Sequence, residues 1–495
     1  MIYMLVRMIL SADAIIMSIS CENNLVIKGQ ENMDIDNKFF EFEKKMHAEK
    51  SPNIAIQNFK YYYTQLIEGH TGLVHASEVR PIGTIPDVET ISEKITLMGK
   101  VALPYVVNIR LNGGLGTSMG LDTAKSLIKV KENMSFLDIV ARQVIQQNIP
   151  LVLMNSFATR EDSLALLNKY PQLSQNKFSL DFLQHKVPKI KKSDLSPVIW
   201  RQNPDLEWCP PGHGDVYAAL VSSGMLDQLI KSDVRYILIS NSDNLGSAVD
   251  PTILGYMVES NASVLMEVAD RSEKDKKGGF PVCRQDGSLL LWETAQCPPE
   301  DTEIYQDVHY FKYFNANNMW INVSKLKNEM QKNENNLRLP MIRNEKTVDV
   351  KDKNSTPVYC LETAVGAIIS VLNDAQLIKV PNSRFCPVKM TNELLSVRSD
   401  AYTLTPDYRL ILNPKRKFDI PVINLDSRYY KLLTDFETRF PEEVPSLINC
   451  NKLSIEGDIK FGKNVVLKGD VQLINSTNDQ VVLENIIIAD QEWRV

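Results

Sequence analysis

Between Tyr105 and Lys125 the chain reads YVVNIRLNGGLGTSMGLDTAK. An apolar run, 105–109, has the look of a buried parallel strand, and Gly113, Gly114 and Gly116 follow it directly. Glycine has no Cβ, so this turn can aim its backbone N–H groups at an oxyanion, phosphate above all. Lys125 comes nine residues after Gly116, where a point positive charge can meet that phosphate. The loop is not a P-loop, because no Gly-Lys-Ser/Thr closes it. Glycines 114, 116 and 120 are spaced one residue too wide for the dinucleotide pattern. A purely structural turn is the plain alternative.

Other segments carry compatible chemistry. Asp243 stands just past the apolar run 236–240, where a carboxylate suits Mg2+, a hard cation that prefers oxygen; an Asx turn closing the strand reads the same way. Pro210-Pro211-Gly212-His213-Gly214-Asp215 is a rigid turn entering a helix, and His213 can donate to a sugar or phosphate oxygen; a satisfied, partly buried histidine reads the same way. Lys277-Gly278-Gly279 is a second glycine turn, and Glu293 ends a strand expected over 289–292. Asn315, Asn317 and Asn318 crowd one short segment; amides both donate and accept, which suits sugar hydroxyls, and they also suit a turn. Lys389 follows a short apolar stretch, and alone it reads as a solvated lysine. Neither a Ser/His/Asp nor a Cys/His constellation is legible.

The elements that must position these residues alternate. Helices are expected over 136–147, 163–170 and 215–231 (broken near Gly224), with strands over 151–154, 236–240 and 263–268. That order predicts a mainly parallel sheet with helices on both faces and ligands at the carboxyl ends of strands. Ser51-Pro52 opens a packing helix with Ile56, Phe59, Tyr63 and Leu66 on one face, and 361–372 reads as a core helix. Two apolar series recur every six residues, Leu453, Ile459, Val465, Val471 and Ile455, Phe461, Leu467, Leu473, the mark of a short parallel β-helix.

With 495 residues, 44% of them apolar, and a net charge of −6, the chain can bury a large core but lacks the basic face of a nucleic-acid binder. A polyphosphate must therefore be met by local lysines. Seven scattered cysteines without a C-x-x-C pair fit reduced thiols in the cytoplasm. Arg7 and Asp13 interrupt the apolar start, so no membrane span is expected there, and 1–32 read as an extension or as a mis-chosen start codon ahead of Met33.

In one order from about Leu111 to Leu473 stand LNGGLGTSMG with Lys125, PPGHGD, SNSDNLG, KGG, FNANNMW, LETAVGA, SRFCPVK and the hexapeptides. Together they resemble the UDP-glucose pyrophosphorylases (UTP–glucose-1-phosphate uridylyltransferases), and IRNEKTVD at 342–349 looks most like the protozoan branch. Thr123-Ala124 stands where members often have Gly-Pro, and NANN and KMTNELL replace NTNN and KTTSDLL. None of these departures removes a charged group.

The resemblance implies an α/β fold, a Rossmann-like, GT-A-like nucleotidyltransferase with a mixed sheet flanked by helices and a C-terminal left-handed β-helix. Its expected divisions are 1–95 (helical), 96–402 (catalytic) and 403–495. It implies that Leu111, Gly113 and Gly114 meet the uracil and ribose, with Asn112 and Ser242 beside them and Gln184 and Gly212 finishing the base pocket. Lys125 and Lys389 would contact the triphosphate as the catalytic cations, and Asp243 would hold Mg2+. His213, Asn241, Gly279, Glu293, Asn315 and Asn317 would line the glucose 1-phosphate side. The expected reaction joins UTP and glucose 1-phosphate into UDP-glucose and pyrophosphate, without nucleic acid or membrane, in a monomer or a homo-oligomer formed through the C-terminal domain. A broader UDP-sugar or UDP-N-acetylhexosamine enzyme is the near alternative, which Asn112 and Leu115 disfavour. A silent nucleotide-sugar-binding subunit is the distant one.

Overall fold

A computed structural model describes residues 35–494 except Asn176, so the expectation for 1–32 lies outside the described residues. The chain forms two units. One comprises the chain through Gly72 with Lys186–Pro211 and Met341–Glu362; the other comprises Leu73–His185, Gly212–Pro340 and the chain from Thr363 on.

The larger unit is organised on seven strands: β1 (Val106–Asn112), β2 (Leu151–Asn155), β3 (Asp181–Leu183), β4 (Tyr236–Asn241), β5 (Val264–Asp270), β6 (Tyr313–Asn322) and β7 (Gln376–Lys379). They lie in the order β7-β5-β6-β4-β1-β2-β3. β1 runs parallel to β4 and β2, β2 parallel to β3 and β5 parallel to β7, while β6 is antiparallel to both its neighbours. The sheet is therefore mixed, and β6 is the departure from the parallel pattern read from the strand–helix alternation. β1 and β2 are buried along their whole length, so Asn108, Arg110 and Asn112 of β1 are enclosed together with its apolar residues.

Helix α1 (Phe136–Gln147) begins at a capping box, Ser135 with Asp138, and packs Val140 and Val144 into one cluster with Leu151 and Leu153 of β2. The stretch expected to break near Gly224 is two helices, α2 (Val216–Ser222) and α3 (Met225–Lys231), with Gly224 at φ +73° between them. That same cluster continues through Leu394 and Tyr402 into Leu453, Ile459, Leu467 and Leu473. The C-terminal strands therefore share one apolar core with the sheet-bearing part of the unit. There Ser446–Glu456 pairs in parallel with Val465–Ile474, and Leu453 faces Val471, Ile455 faces Leu473. All eight residues of the two six-residue series are buried.

In the smaller unit a helical stretch over 35–48 and the helix Asn53–Ile67 bury Phe39, Phe42, Phe59 and Tyr63 against Ile190, Val358 and Cys360. Its three-stranded antiparallel sheet includes Ile342–Thr347 and Pro357–Glu362.

Residues 361–372 are not a helix. The strand Pro357–Glu362 enters the segment, and a 3-10 stretch, Val365–Ser370, follows. Its centre, Val365–Ile369, is buried on every side, so it carries no period from which to tell helix from strand or turn. Gly366 in addition packs against Leu291, Asn315 and Met266 where a Cβ would have to displace them. The Asn315–Asn318 segment is likewise strand β6, not a turn, with its asparagines on alternate faces and a bulge opposite β5.

Candidate active site

The carboxyl ends of β1 and β4 lie side by side, Leu111 opposite Asn241. The loop after β1 folds back on itself: Gly114 O accepts the Lys125 N–H at 3.3 Å, and Leu115 bridges to Ala124. This return brings the ammonium of Lys125 to the carboxylate of Asp243, Nζ to Oδ2 at 2.5 Å, with both side chains partly exposed. Ser242 is buried and donates through N–H and Oγ to Leu111 O, tying the two strand ends together.

On the far side of the loop, the Gln184 carboxamide lies against Gly113 so closely that a Cβ there would come within 2.5 Å of its Oε1. Its Nε2 donates to Gly212 O at 3.1 Å, and Gly212 holds φ +82°, a conformation that favours glycine. Leu111, Gly113, Gly114, Lys125, Gln184, Gly212, Ser242 and Asp243 thus form one continuous rim. Asn112 is in the rim's sequence but not on its open face. Its carboxamide turns inward and donates to Asn155 Oδ1 at 2.7 Å and Ser163 Oγ at 2.8 Å.

A second group is linked just as directly. Asn317 donates to Asn241 Oδ1 at 3.0 Å, the Asn317 N–H donates to Asn315 Oδ1 at 2.8 Å, and the Asn315 N–H donates to Gly279 O at 3.0 Å. A Cβ on Gly279 would collide with the Glu293 carboxylate. Burial pushes the Glu293 carboxyl up to about 6, against the pull of the Lys389 charge nearby. His213 Nδ1 accepts the Val365 N–H at 2.7 Å, so in the neutral ring Nε2 carries the proton and can donate. The Lys389 carbonyl accepts from Ser118 Oγ at 3.1 Å, which holds the Lys389 segment to the glycine loop.

Beneath these groups lies a polar network that the sequence reading missed. Arg384 donates to both oxygens of Glu267 at 2.7 and 2.6 Å, and Asn318 and the Trp320 indole donate to the same carboxylate. Asn244 links this network to the Lys389 segment, donating to Arg384 O and accepting the Cys386 N–H. Burial works against the Arg384 charge, but Glu267 outweighs it and the guanidinium ends above its ordinary value. Burial and then repulsion by Arg384 lower Arg110 to about 9, still protonated at neutral pH. The available signal was a charge within an apolar strand, Glu267 in SVLMEVAD and Arg110 in VVNIRLN, since such a charge must be paired.

The fold also aligns Ser222, His185 and Asp215, an array the sequence hid because its members are dispersed. Ser222 Oγ and Asp215 Oδ1 each lie 2.8 Å from a ring nitrogen of His185. Its bonds tie the fold together: Ser222 Oγ also donates to Ala219 O within its own helix, and the His185 N–H donates to Asp215 Oδ2. Among the described residues no three His, Cys, Asp or Glu side chains cluster as a metal site, and no helix is long and apolar enough to cross a membrane.

A mixed sheet thus carries a glycine loop, a lysine–aspartate pair and a row of amides at its strand ends, a setting that suits a phosphate-bearing ligand. Residues 56–468 match the family model for UTP–glucose-1-phosphate uridylyltransferase. The chain is 37% identical over 410 residues to the UTP–glucose-1-phosphate uridylyltransferase of Saccharomyces cerevisiae, covering 80% of this chain and 79% of that one. The UDP-glucose pyrophosphorylase of Leishmania major, solved in open and closed structures, superposes with a TM-score of 0.86 at 37% identity, covering 93% of this chain and 99% of that one. A UDP-glucose phosphorylase of Trypanosoma brucei gives 0.85 at 38% identity, with 93% and 100% covered. The chain belongs to the UTP–glucose-1-phosphate uridylyltransferase family.

Proposed function

We propose that this enzyme reversibly transfers UMP from UTP to glucose 1-phosphate, releasing pyrophosphate, by in-line attack of the sugar phosphate on the α-phosphate. The observation that carries the reading is the convergence of the Gly113–Gly116 loop, the Lys125–Asp243 pair and the Lys389 segment at one set of strand ends. The sugar phosphate is already ionised at neutral pH, so the reaction needs no general base. It needs two polyanions held in line while their charge is neutralised, and positioning of that kind supplies roughly 7–11 kcal/mol.

In this reading Leu111, Gly113, Gly114, Gln184 and Gly212 take the uracil and ribose, with Asn112 and Ser242 bracing the loop. Lys125 and Lys389 meet the triphosphate. His213 donates through Nε2 on the sugar-phosphate side, alongside Asn241, Gly279, Glu293, Asn315 and Asn317. Asp243 is a fitting single carboxylate for Mg2+, which binds through one or two carboxylates plus substrate phosphates and would supply charge neutralisation there. The 18-residue offset between Leu453 and its partner Val471, three six-residue repeats, supports a left-handed β-helix for the C-terminal strands. With 1–95 and 96–402 ahead of it, that segment is a candidate surface for a homo-oligomer, the monomer being the other state. A cytoplasmic location agrees with the scattered thiols.

A coupled pyrophosphate-release assay with UTP and Mg2+ tests the proposal against glucose 1-phosphate, galactose 1-phosphate and N-acetylglucosamine 1-phosphate. Turnover confined to the first supports it. Equal turnover on the others shifts the reading to a broader UDP-sugar enzyme, and no release with any of them leaves a silent binding subunit.

A further inference from the structure

We propose that the His185–Asp215 pair is a positioning element that sets which base the nucleotide end accepts, an inference that rests on Gln184 and Gly212 flanking the uracil. Asp215 grips one residue twice: Oδ1 pairs with His185 Nδ1 and Oδ2 accepts the His185 N–H, both at 2.8 Å. Both side chains are buried, at 6% and 7% exposure, and the outer ring nitrogen is held by Ser222. His185 is the residue immediately after Gln184. Asp215 closes the 3-10 turn that Gly212 opens, its own N–H donating to Gly212 O. The pair therefore fixes the distance between the two groups assigned to the base.

That distance decides the hydrogen-bonding character of the pocket. Only the NH2 of a carboxamide can donate to a carbonyl, so the bond from Gln184 Nε2 to Gly212 O forces Oε1 to face the Gly113 side. An acceptor aimed there matches a base that carries a ring N–H, as uracil does, and opposes cytosine, whose N3 is itself an acceptor. If the Gly212–Asp215 turn drifts from Gln184, the carboxamide is released to turn over and offer its NH2, and discrimination falls. A site built around a hydrogen bond discriminates strongly only while that bond's geometry is enforced.

The test uses the full chain and compares kcat/KM for UTP with that for CTP, together with KM for glucose 1-phosphate and thermal melting, in Gln184→Ala, Asp215→Ala, Asp215→Asn and His185→Leu. Asp215→Ala is expected to raise KM for UTP and lower the UTP/CTP ratio about tenfold, whereas any rise in KM for glucose 1-phosphate, which follows His213 in the same turn, is the same with either nucleotide. Asp215→Asn is expected to recover most of the ratio: its Oδ1 can accept the His185 N–H and its NH2 can donate to Nδ1, with the ring proton moved to Nε2 and given to Ser222 Oγ. A merely structural pair predicts lower melting temperatures with an unchanged ratio, and no such rescue. If Gln184→Ala lowers the ratio while Asp215→Ala does not, this inference is overturned and the base pocket stands. If Gln184→Ala also leaves it unchanged, the base assignment itself fails. His185→Leu, which removes the ring contacts and keeps the backbone N–H bond to Asp215, is expected to lower the ratio less than Asp215→Ala; should Asp215→Ala not fold, Asp215→Val decides in its place, since it removes both carboxylate bonds and fills the space, and an unchanged ratio there overturns the inference.

Discussion

Two ion pairs in the larger unit do opposite jobs. Glu267 is fully enclosed and the Arg384 side chain keeps only 8% of its surface, and each oxygen of the carboxylate has more than one donor. Lys125 and Asp243 also touch, but their side chains keep 19% and 15% of their surface and neither carries a comparable network. Separating the first pair would strand a charge in a medium that cannot solvate it. Separating the second exposes two groups to water and to any polyanion that enters. Rigidity is thus built under the strand ends, and exchangeable charge is left at their mouth.

The sharpest way to break that contrast is Glu267→Ala. Removing one partner of a buried pair is expected to cost about 3–5 kcal/mol of folding stability, read by denaturant titration. A loss below about 1 kcal/mol would mean that the network is not what holds the Lys389 segment.

Lys125→Ala and Lys389→Ala should invert the pattern. Turnover is expected to fall about 10²–10³-fold, as for a lost oxyanion donor, with melting little changed. Near-native turnover in either variant removes that lysine from the mechanism.

The smallest effect concerns Glu293, whose carboxyl sits at about 6 in the folded chain against an ordinary 4.5. Between those values the folded state keeps a proton that the unfolded chain gives up, so stability falls as pH rises through that window. Above it the cost is about 2 kcal/mol. Glu293→Gln should therefore be more stable than the parent at pH 7.5 by up to that amount. The difference should vanish below pH 4.5, and denaturant curves across the range check it. A constant difference would show that the carboxyl does not titrate as its burial requires.

Local patterns were legible in the amino-acid order because they repeat or are forced by backbone geometry. The bounds of α1, the six-residue apolar series, the glycine loop after β1 and Asp243 past the end of β4 all follow from periodicity, capping and the positions where glycine is needed. What could not be read locally is where distant polar groups meet. The pairing of Glu267 with Arg384 spans 117 residues and that of Lys125 with Asp243 spans 118, and no local pattern encodes either. The inward turn of Asn112, the array of Ser222, His185 and Asp215 and the strand end and 3-10 stretch in place of a helix at 361–372 were settled the same way. A buried polar group takes whichever partner the packed chain brings within reach, and an apolar run takes the shape its neighbours leave for it, so only the tertiary structure decides them.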